Sequence, residues 1–498
     1  MSFFKKNPRS ITRNTVINLM GSLLPGLLLL VTIPLYLHMI GAARYGALAI
    51  IWVLLGYFAA FDLGLGRAVA NKIAQAGDFD HIPQRATIFW TSLILSGGFG
   101  LLGALFLYPL SLFLFVHVLH IAPLLQHEAM DALPWYLLAL PLATVISVLG
   151  GALEGREAFV ALNAGQLFGL VLYQLLPLAV AWAGFRTLPN LVAAALLGRT
   201  VSALLLFWSC RAQVPLLRGG SAHYISFDWK TGVPMLRYGS WISLSGIVSP
   251  LLTLFDRFLI GAQLGMVAVA HYTVPYSLVT KMSILPQSFN TTLFPRYAMV
   301  DETESIALME KALRNINAIM TPLTVVSLVL LRPFLDAWVG VGFAKQAAPV
   351  GMILLAGIWV NALAYAPYAW LQARGRPDLT ARFHMIELLP YLAILWVLLH
   401  FWGLAGVALA WTLRVSADAL LLFSSTSRFT AILYRTLWPG MVIVLTTAIA
   451  LFPPANHIWY RLLNILFFAG ALYWSIVTTK VMWQPRFYAW IQMRRGTK

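Results

Sequence analysis

The chain has 498 residues, of which 60% are hydrophobic and only 10% charged. With a mean hydropathy of +0.80, this leaves too little polar surface to cover a water-soluble globule. Its formal net charge is +17, but Lys and Arg lie in short clusters between apolar runs and not on one soluble face, which argues against a nucleic-acid partner. A single cysteine, Cys210, excludes an intramolecular disulfide framework and a cysteine-based zinc cluster within one chain.

The opening residues Met1 to Arg13 are polar and basic, and the apolar run behind them is too long for a signal-peptide core, so it is expected to remain as the first helix. A spanning helix needs about 20 mainly apolar residues, and about fourteen such runs follow in order. The first six are Val16 to Ile40, Ala47 to Leu65, Ile88 to Pro109, Trp135 to Leu153, Val160 to Gly184 and Leu191 to Cys210. The next six are Trp241 to Leu264, Val267 to Phe294, Ile316 to Val339, Ala347 to Leu371, Met385 to Phe401 and Leu404 to Phe423. Leu437 to Phe452 and Trp459 to Met482 complete the set. The fold class predicted is an all-α polytopic membrane protein, with no joint large enough for a soluble domain.

Alternate joints sort by charge. One side carries Lys5, Lys6, Arg9, Arg13, Arg67, Lys72, Arg85, Arg211, Arg218, Lys230, Arg237, Arg296, Lys311, Arg314, Arg374, Arg376, Arg382 and the basic tail Lys480 to Lys498. The other has little beyond Arg44, Arg186, Lys345 and Arg461. Short basic joints stay in the cytoplasm, so both termini are expected there. The longest outward joint, Ser111 to Pro134, is half apolar, and its His117, His120, His127 and Glu128 read as an exposed loop in preference to a metal site. Asp228, Trp229 and Lys230 read as an interfacial segment between two halves.

An internal repeat supports two halves. Ile40-Gly41-Ala42 recurs as Ile260-Gly261-Ala262, and Gly155-Arg156 as Gly375-Arg376, both at an offset of 220 positions. The expected organisation is an N-terminal lobe, 1–212, a C-terminal lobe, 213–425, and two added helices with a basic tail, 426–498. Two blocks of six helices enter the membrane from the same side and suit a transporter that moves two lobes around a central site.

Charges inside spans are costly, about 2.5 to 3.5 kcal/mol at a helix centre, and so they mark function or packing. Asp62 with Arg67, adjacent Asp256 and Arg257, and Lys281 stand out, and the repeat offset places Lys281 opposite position 61, beside Asp62. They admit two readings: a cavity that draws an anionic group, with acids able to couple to ions, or local pairs that fix helix packing. Arg414 with Asp418 and Arg332 with Asp336 sit four apart and are expected to pair within their own helices, whereas Arg199 and Glu387 have no evident local partner. Tyr45, Tyr272, Tyr276, Trp241 and Tyr365 fit sugar stacking or an interfacial aromatic belt. Pro25, Pro34, Pro250, Pro275 and Pro286 predict bent helices.

No Walker-type phosphate loop, GxSxG elbow or HExxH is present, so ATP hydrolysis by this chain is not expected. No cofactor, no metal and no catalytic residue is called. The remaining class is a secondary transporter.

Several segments carry a family resemblance. Asn14-Thr-Val-Ile-Asn18 with Gly21, Ile33-Pro34-Leu35-Tyr36, Ile40-Gly41, Tyr45-Gly46, Phe61-Asp62-Leu63-Gly64-Leu65-Gly66 and Arg67-Ala-Val-Ala-Asn-Lys72 form the first group. Asp256-Arg257-Phe258-Leu259-Ile260-Gly261 and His271-Tyr272 form the second. They resemble bacterial polysaccharide-unit (O-antigen type) flippases of the multidrug/oligosaccharidyl-lipid/polysaccharide exporter superfamily. The resemblance implies that an undecaprenyl-pyrophosphate-linked oligosaccharide is moved across the bacterial inner membrane by alternating access, with membrane lipids, a polysaccharide polymerase and chain-length machinery as partners. A pyrophosphate is strongly anionic, so Arg257, Lys281 and Arg67 are its natural partners, while Asp62 and Asp256 stand as candidate cavity or ion-coupling acids and Tyr272 and Tyr276 as candidate sugar-stacking residues. Competing expectations are a drug or peptidoglycan-precursor exporter of the same superfamily, and a polysaccharide polymerase, which the lack of a large outward loop disfavours.

Overall fold

A computed structural model describes residues 8–57, 64–75, 82–119, 121–156, 158–213, 226–236, 255–452 and 457–480. Its helices are α1 (Pro8–Tyr57), α2 (Leu65–Gln75), α3 (Ile82–Phe113), α4 (Pro123–Gly155), α5 (Phe159–Trp182), α6 (Leu188–Gln213), α7 (255–263) and α8 (Met266–Val279). They continue as α9 (Ile284–Met299), α10 (Glu302–Val339), α11 (Val341–Ala373), α12 (Pro377–Ser424), α13 (Phe429–Leu451) and α14 (His457–Lys480). Among the described residues, nine helical stretches are long and apolar enough to cross a membrane. The protein is a polytopic all-α membrane protein.

Two of those stretches each hold two of the spans read from sequence. The joint in α1 is the single residue Gly41, at φ 78°, and that in α12 is Gly403, at φ 54°. A side chain at positive φ is strained, so glycine permits a one-residue turn where the composition suggested a short loop. Three other expectations are corrected. The outward joint Ser111 to Pro134 shrinks to residues 119–122, because α3 runs into a π turn, Leu114–Val118, and α4 begins at Pro123, where a missing N–H costs nothing. The span Val267 to Phe294 is broken by a 3₁₀ turn, Thr280–Ser283, three residues before Pro286, which has no N–H to continue an α-helical ladder back into the turn. Arg85, assigned by charge to a joint, lies inside α3 and is buried.

The chain divides into two compact units, Met1–Thr273 and Val274–Lys498. The division falls within α8. In the first unit α4 is the inner helix, packed on α2, α3 and α6, while Leu101, Leu102, Leu105 and Phe106 of α3 point away from the protein as lipid-facing residues do. Small residues let the inner helix approach its neighbours. A Cβ on Gly151 would overlap the Gly66 carbonyl, and one on Gly155 would press on Ala70, so Gly66-xxx-Ala70 faces Gly151-xxx-Gly155. Between α5 and α6, Gly165 and Gly169 face Leu206 and Ser202, and the Ser202 hydroxyl donates to the Gly165 carbonyl at 3.1 Å. Cys210 is buried here, its thiol 3.3 Å from the Leu149 carbonyl.

In the second unit α11 holds the inner position, against α10, α12 and α9. Trp359 Nε1 donates to Thr321 Oγ1 and Trp370 Nε1 to Ser305 Oγ, each at 3.0 Å, which fixes α11 on α10. Asp301 caps α10 by accepting the Glu304 amide at 2.8 Å. The helices that end at the two repeated Gly-Arg motifs are thus each the inner helix of a unit.

The segment read as interfacial is a short helix, 229–236, lying against α3. Asp228 starts it by accepting the Thr231 hydroxyl at 2.6 Å and the Lys230 and Thr231 amides at 3.0 Å. Met235 enters the core while Phe227, Trp229 and Val233 face outward, as an element lying at the membrane surface requires.

Two outcomes follow from this packing. Gly151→Ala forces α2 from α4 and destabilises the first unit by about 1–3 kcal/mol, whereas Gly98→Ala, with nothing near its Cβ, does not; thermal unfolding in detergent measures both. The Thr231 hydroxyl, with the two amides, holds the Asp228 carboxyl below its ordinary range, so the cap is intact at neutral pH and is lost as the pH falls through that lowered value. Hydrogen exchange of amides 229–236 in lipid nanodiscs should quicken on acidification, and Asp228→Ala should show the fast rate at every pH.

Candidate functional site

The glycine contacts between α2 and α4, and between α5 and α6, leave a cleft of about 370 Å³ in the first unit. Its polar wall is Arg67, Ser147, Glu154, Gln166 and Arg199, and Gly66, Gly150 and Gly151 line its floor. Arg67 is exposed at the start of α2, and Arg199 is half-buried near the middle of α6. The Arg199 guanidinium lies 4.9 Å from the centre of the Tyr173 ring, a cation–π contact that holds it at the cleft. Sequence reasoning named Arg67 for this role but left Arg199 unassigned, because its neighbour on α5 is distant in sequence.

Tyr173 begins a chain of aromatic contacts. Its ring lies 6.1 Å from Trp52, which lies 5.3 Å from Tyr36 and 6.2 Å from Tyr45. The Tyr36 hydroxyl donates to the Gln174 carbonyl at 2.8 Å, so α1 is fastened to α5. Tyr36 and Tyr45 are buried, which suits packing better than sugar stacking in this conformation.

The cluster continues to Asp256 and Arg257. Arg257 Nη1 lies 3.1 Å from Asp256 Oδ1, the Arg257 amide donates to the same oxygen at 2.7 Å, and the Tyr272 hydroxyl donates to Asp256 Oδ2 at 2.7 Å. The guanidinium also sits 5.6 Å from the Tyr272 ring. All three residues are at least nine-tenths buried. In this conformation the pair is neutral and closed, with Tyr272 engaged through its hydroxyl.

A further ion pair secures the helix ends. Glu128, expected in an exposed loop, is buried on α4, where Arg44 donates to both carboxylate oxygens at 2.6 to 3.2 Å and the Leu188 amide at 3.2 Å. This joins the segment after Gly41, the start of α4 and the start of α6.

In the second unit Lys281 lies half-buried in the 3₁₀ turn, and Tyr276 packs edge-on against Trp411 at 5.9 Å. Arg332 and Asp336 pair at 3.7 Å as expected. Arg414 does not pair with Asp418. It reaches Glu387 at 3.8 Å, because the Gly403 turn returns the helix on itself and supplies Glu387 with a partner that spacing could not reveal. Asp62, Trp241 and Pro250 lie outside the described residues. Arg67 and Arg199 line one cleft, Asp256, Arg257 and Tyr272 form one cluster, and Lys281 and Tyr276 belong to the other unit.

The fold is similar to those of solved transporters. A lipid II flippase MurJ structure, in an inward closed conformation, aligns with a TM-score of 0.71 over 94% of this chain and 99% of its own, at 13% identity. An inward-facing multidrug-resistance MATE family transporter aligns at 0.65 over 85% and 96%, with 15% identity. These likenesses are of fold. Residues 38–347 match the family described as polysaccharide biosynthesis protein, and the chain belongs to that family. A Shigella flexneri protein named "Putative O-antigen transporter" is 29% identical over 414 residues, 83% of this chain and 97% of that protein.

Removing one member of the Asp256–Arg257 pair leaves a buried charge uncompensated, which costs about 3–5 kcal/mol. Asp256→Ala should therefore lower the protein level in membranes, and the double change Asp256→Leu with Arg257→Met should restore it. Immunoblots of membrane fractions test this, and a single variant at full level would show the pair dispensable for packing.

Proposed function

We propose that this protein is a flippase that moves undecaprenyl-pyrophosphate-linked oligosaccharide units from the cytoplasmic to the outer face of the bacterial inner membrane, for surface polysaccharide assembly. The observation that carries this reading is the cleft with Arg67 and Arg199 on its wall. A pyrophosphate is strongly anionic, and guanidinium groups bind its oxygens through paired, charge-assisted hydrogen bonds. Glu154 at the same cleft tempers the field, so the bound anion is held and can still leave. Gln166 and Ser147 offer amide and hydroxyl partners for sugar hydroxyls, while the lipid tail stays in the bilayer.

The charge pattern of the joints supports the orientation. It assigns the start of α2 and the end of α4 to the cytoplasmic side, where a newly made lipid-linked unit is met, and it assigns both termini there as well. The family and the Shigella flexneri relative support a polysaccharide substrate. We read 1–212 and 213–425 as lobes that alternate access to the two faces, with 426–498 as an added pair of helices. Arg257 and Lys281 enter this scheme as charges met later in the cycle, Asp62 as a cavity acid, and Tyr276 as a sugar contact. A polymerase and chain-length machinery would take up the exported unit. The reading is of a transporter and not an enzyme.

Loss of one charged contact to the pyrophosphate costs about 1.5–3 kcal/mol, or roughly ten- to a hundredfold in affinity. In a deletion strain, Arg67→Ala and Arg199→Ala should each restore sugar display at least tenfold less well than the wild-type chain at equal protein levels, with lipid-linked units held on the cytoplasmic face. Arg199→Lys should recover part of the loss. Units that reach the outer face without the chain would end the flippase reading.

A further inference from the structure

The turn at Gly403 gathers four ionisable residues of α12, His384, Glu387, Arg414 and Asp418, into one largely buried group. Glu387 lies sixteen positions before Gly403 and Asp418 fifteen after it, so the returning helix brings the two carboxylates to one level, within hydrogen-bonding reach of each other. Arg414 Nη1 stands 3.8 Å from Glu387 Oε2, and His384 Nε2 stands 3.9 Å from Asp418 Oδ1. The Arg414 guanidinium also covers the Tyr391 ring at 5.7 Å. From α11, Tyr368 faces Asp418, with Tyr365 beside it. Glu387 is only 6% exposed. Neither of its oxygens, nor Asp418 Oδ1, accepts a hydrogen bond from a described residue.

Two carboxylates against one guanidinium leave one negative charge in excess while His384 is neutral. An unbalanced charge among apolar helices is disfavoured, and one proton removes it. A carboxyl hydrogen on one acid, donated to the other, also satisfies two of the empty acceptors at once. Asp256, the described acid that the sequence suggested for ion coupling, already has Arg257 and Tyr272 as donors, so its lone pairs are engaged.

We propose that Glu387 and Asp418 hold a single exchangeable proton between them and that this proton is the coupling ion of transport. The proton arrives from water, forms one O–H bond on the pair, and leaves to water when the cluster opens, so the cluster alternates between neutral and singly negative. His384, on the side of the pair nearer the start of α12 and with a fifth of its side chain exposed, is the exchange route. The coupling half of the proposal rests on the flippase reading; the proton half does not.

The test uses the full-length protein in vesicles. Infrared difference spectra between acid and alkaline pH should contain a carboxylic acid C=O band that is lost as the pH rises. It should vanish in Glu387→Gln and change in Asp418→Asn. Should the variants fail to fold, wild-type protein with isotope-labelled glutamate carboxyls decides the point, because the band must move with the label. In the same vesicles a pH gradient should speed transfer of a fluorescent pyrophosphate-linked oligosaccharide lipid at least tenfold in the wild type. Glu387→Gln should still bind that probe without the acceleration, and Glu387→Asp should keep part of it. A missing or unshifted band overturns the proton site, and transfer driven by sodium alone overturns its role as the coupling ion. A titrating band in a protein that moves no probe at any pH leaves the proton site standing and rejects the flippase reading.

Discussion

A charge placed among apolar helices needs a counter-charge, and this requirement organises the interior of the protein. Lipid offers no screening ions, so Asp256 finds Arg257, Glu128 finds Arg44, and Glu387 finds Arg414. The pairs Arg44–Glu128 and Arg414–Glu387 also fasten chain segments that the hydrophobic effect alone would leave undirected, because lipid tails are as apolar as the helices themselves. The glycine contacts of α4 supply the complementary half of the solution. Where no charge directs the helices, close backbone approach and dispersion do so.

The cleft depends on both devices. The glycines of α2 and α4 bring two backbones together, and the side chains displaced from that contact leave room beside them. Tyr173 then holds one arginine at the wall while Arg67 stands exposed opposite the pocket floor. Two guanidiniums stand at this open cleft, whereas Arg44 and Arg257 are closed into pairs with Glu128 and Asp256. The paired Arg257 would first have to leave Asp256.

Hydropathy and basic residues were enough to show an all-α membrane protein, since twenty apolar residues in a row have few other uses. Boundaries were less legible. Gly41 and Gly403 turn the chain in one residue, and composition does not distinguish a one-residue joint from a loop. The short motifs around Arg67 and Asp256 pointed to the family that the chain proved to belong to. Side-chain partners followed sequence only when they were local, as with Arg332 and Asp336. The partners of Glu387 and Arg199 come from the return of α12 and from the approach of α5 to α6, and neither is visible in residue spacing.

The one-residue turn at Gly403 also bears on how the protein is made. Between Glu387 and Arg414 the chain has no Asp, Glu, Lys or Arg, so the hairpin carries no charged loop to be dragged through the translocation channel. Its acid and base lie on opposite arms and can meet as soon as the second arm is synthesised. The hairpin therefore enters the bilayer with its own counter-ion. Arg44 must instead wait 84 residues for Glu128, so the first hairpin receives its counter-ion from a helix made later.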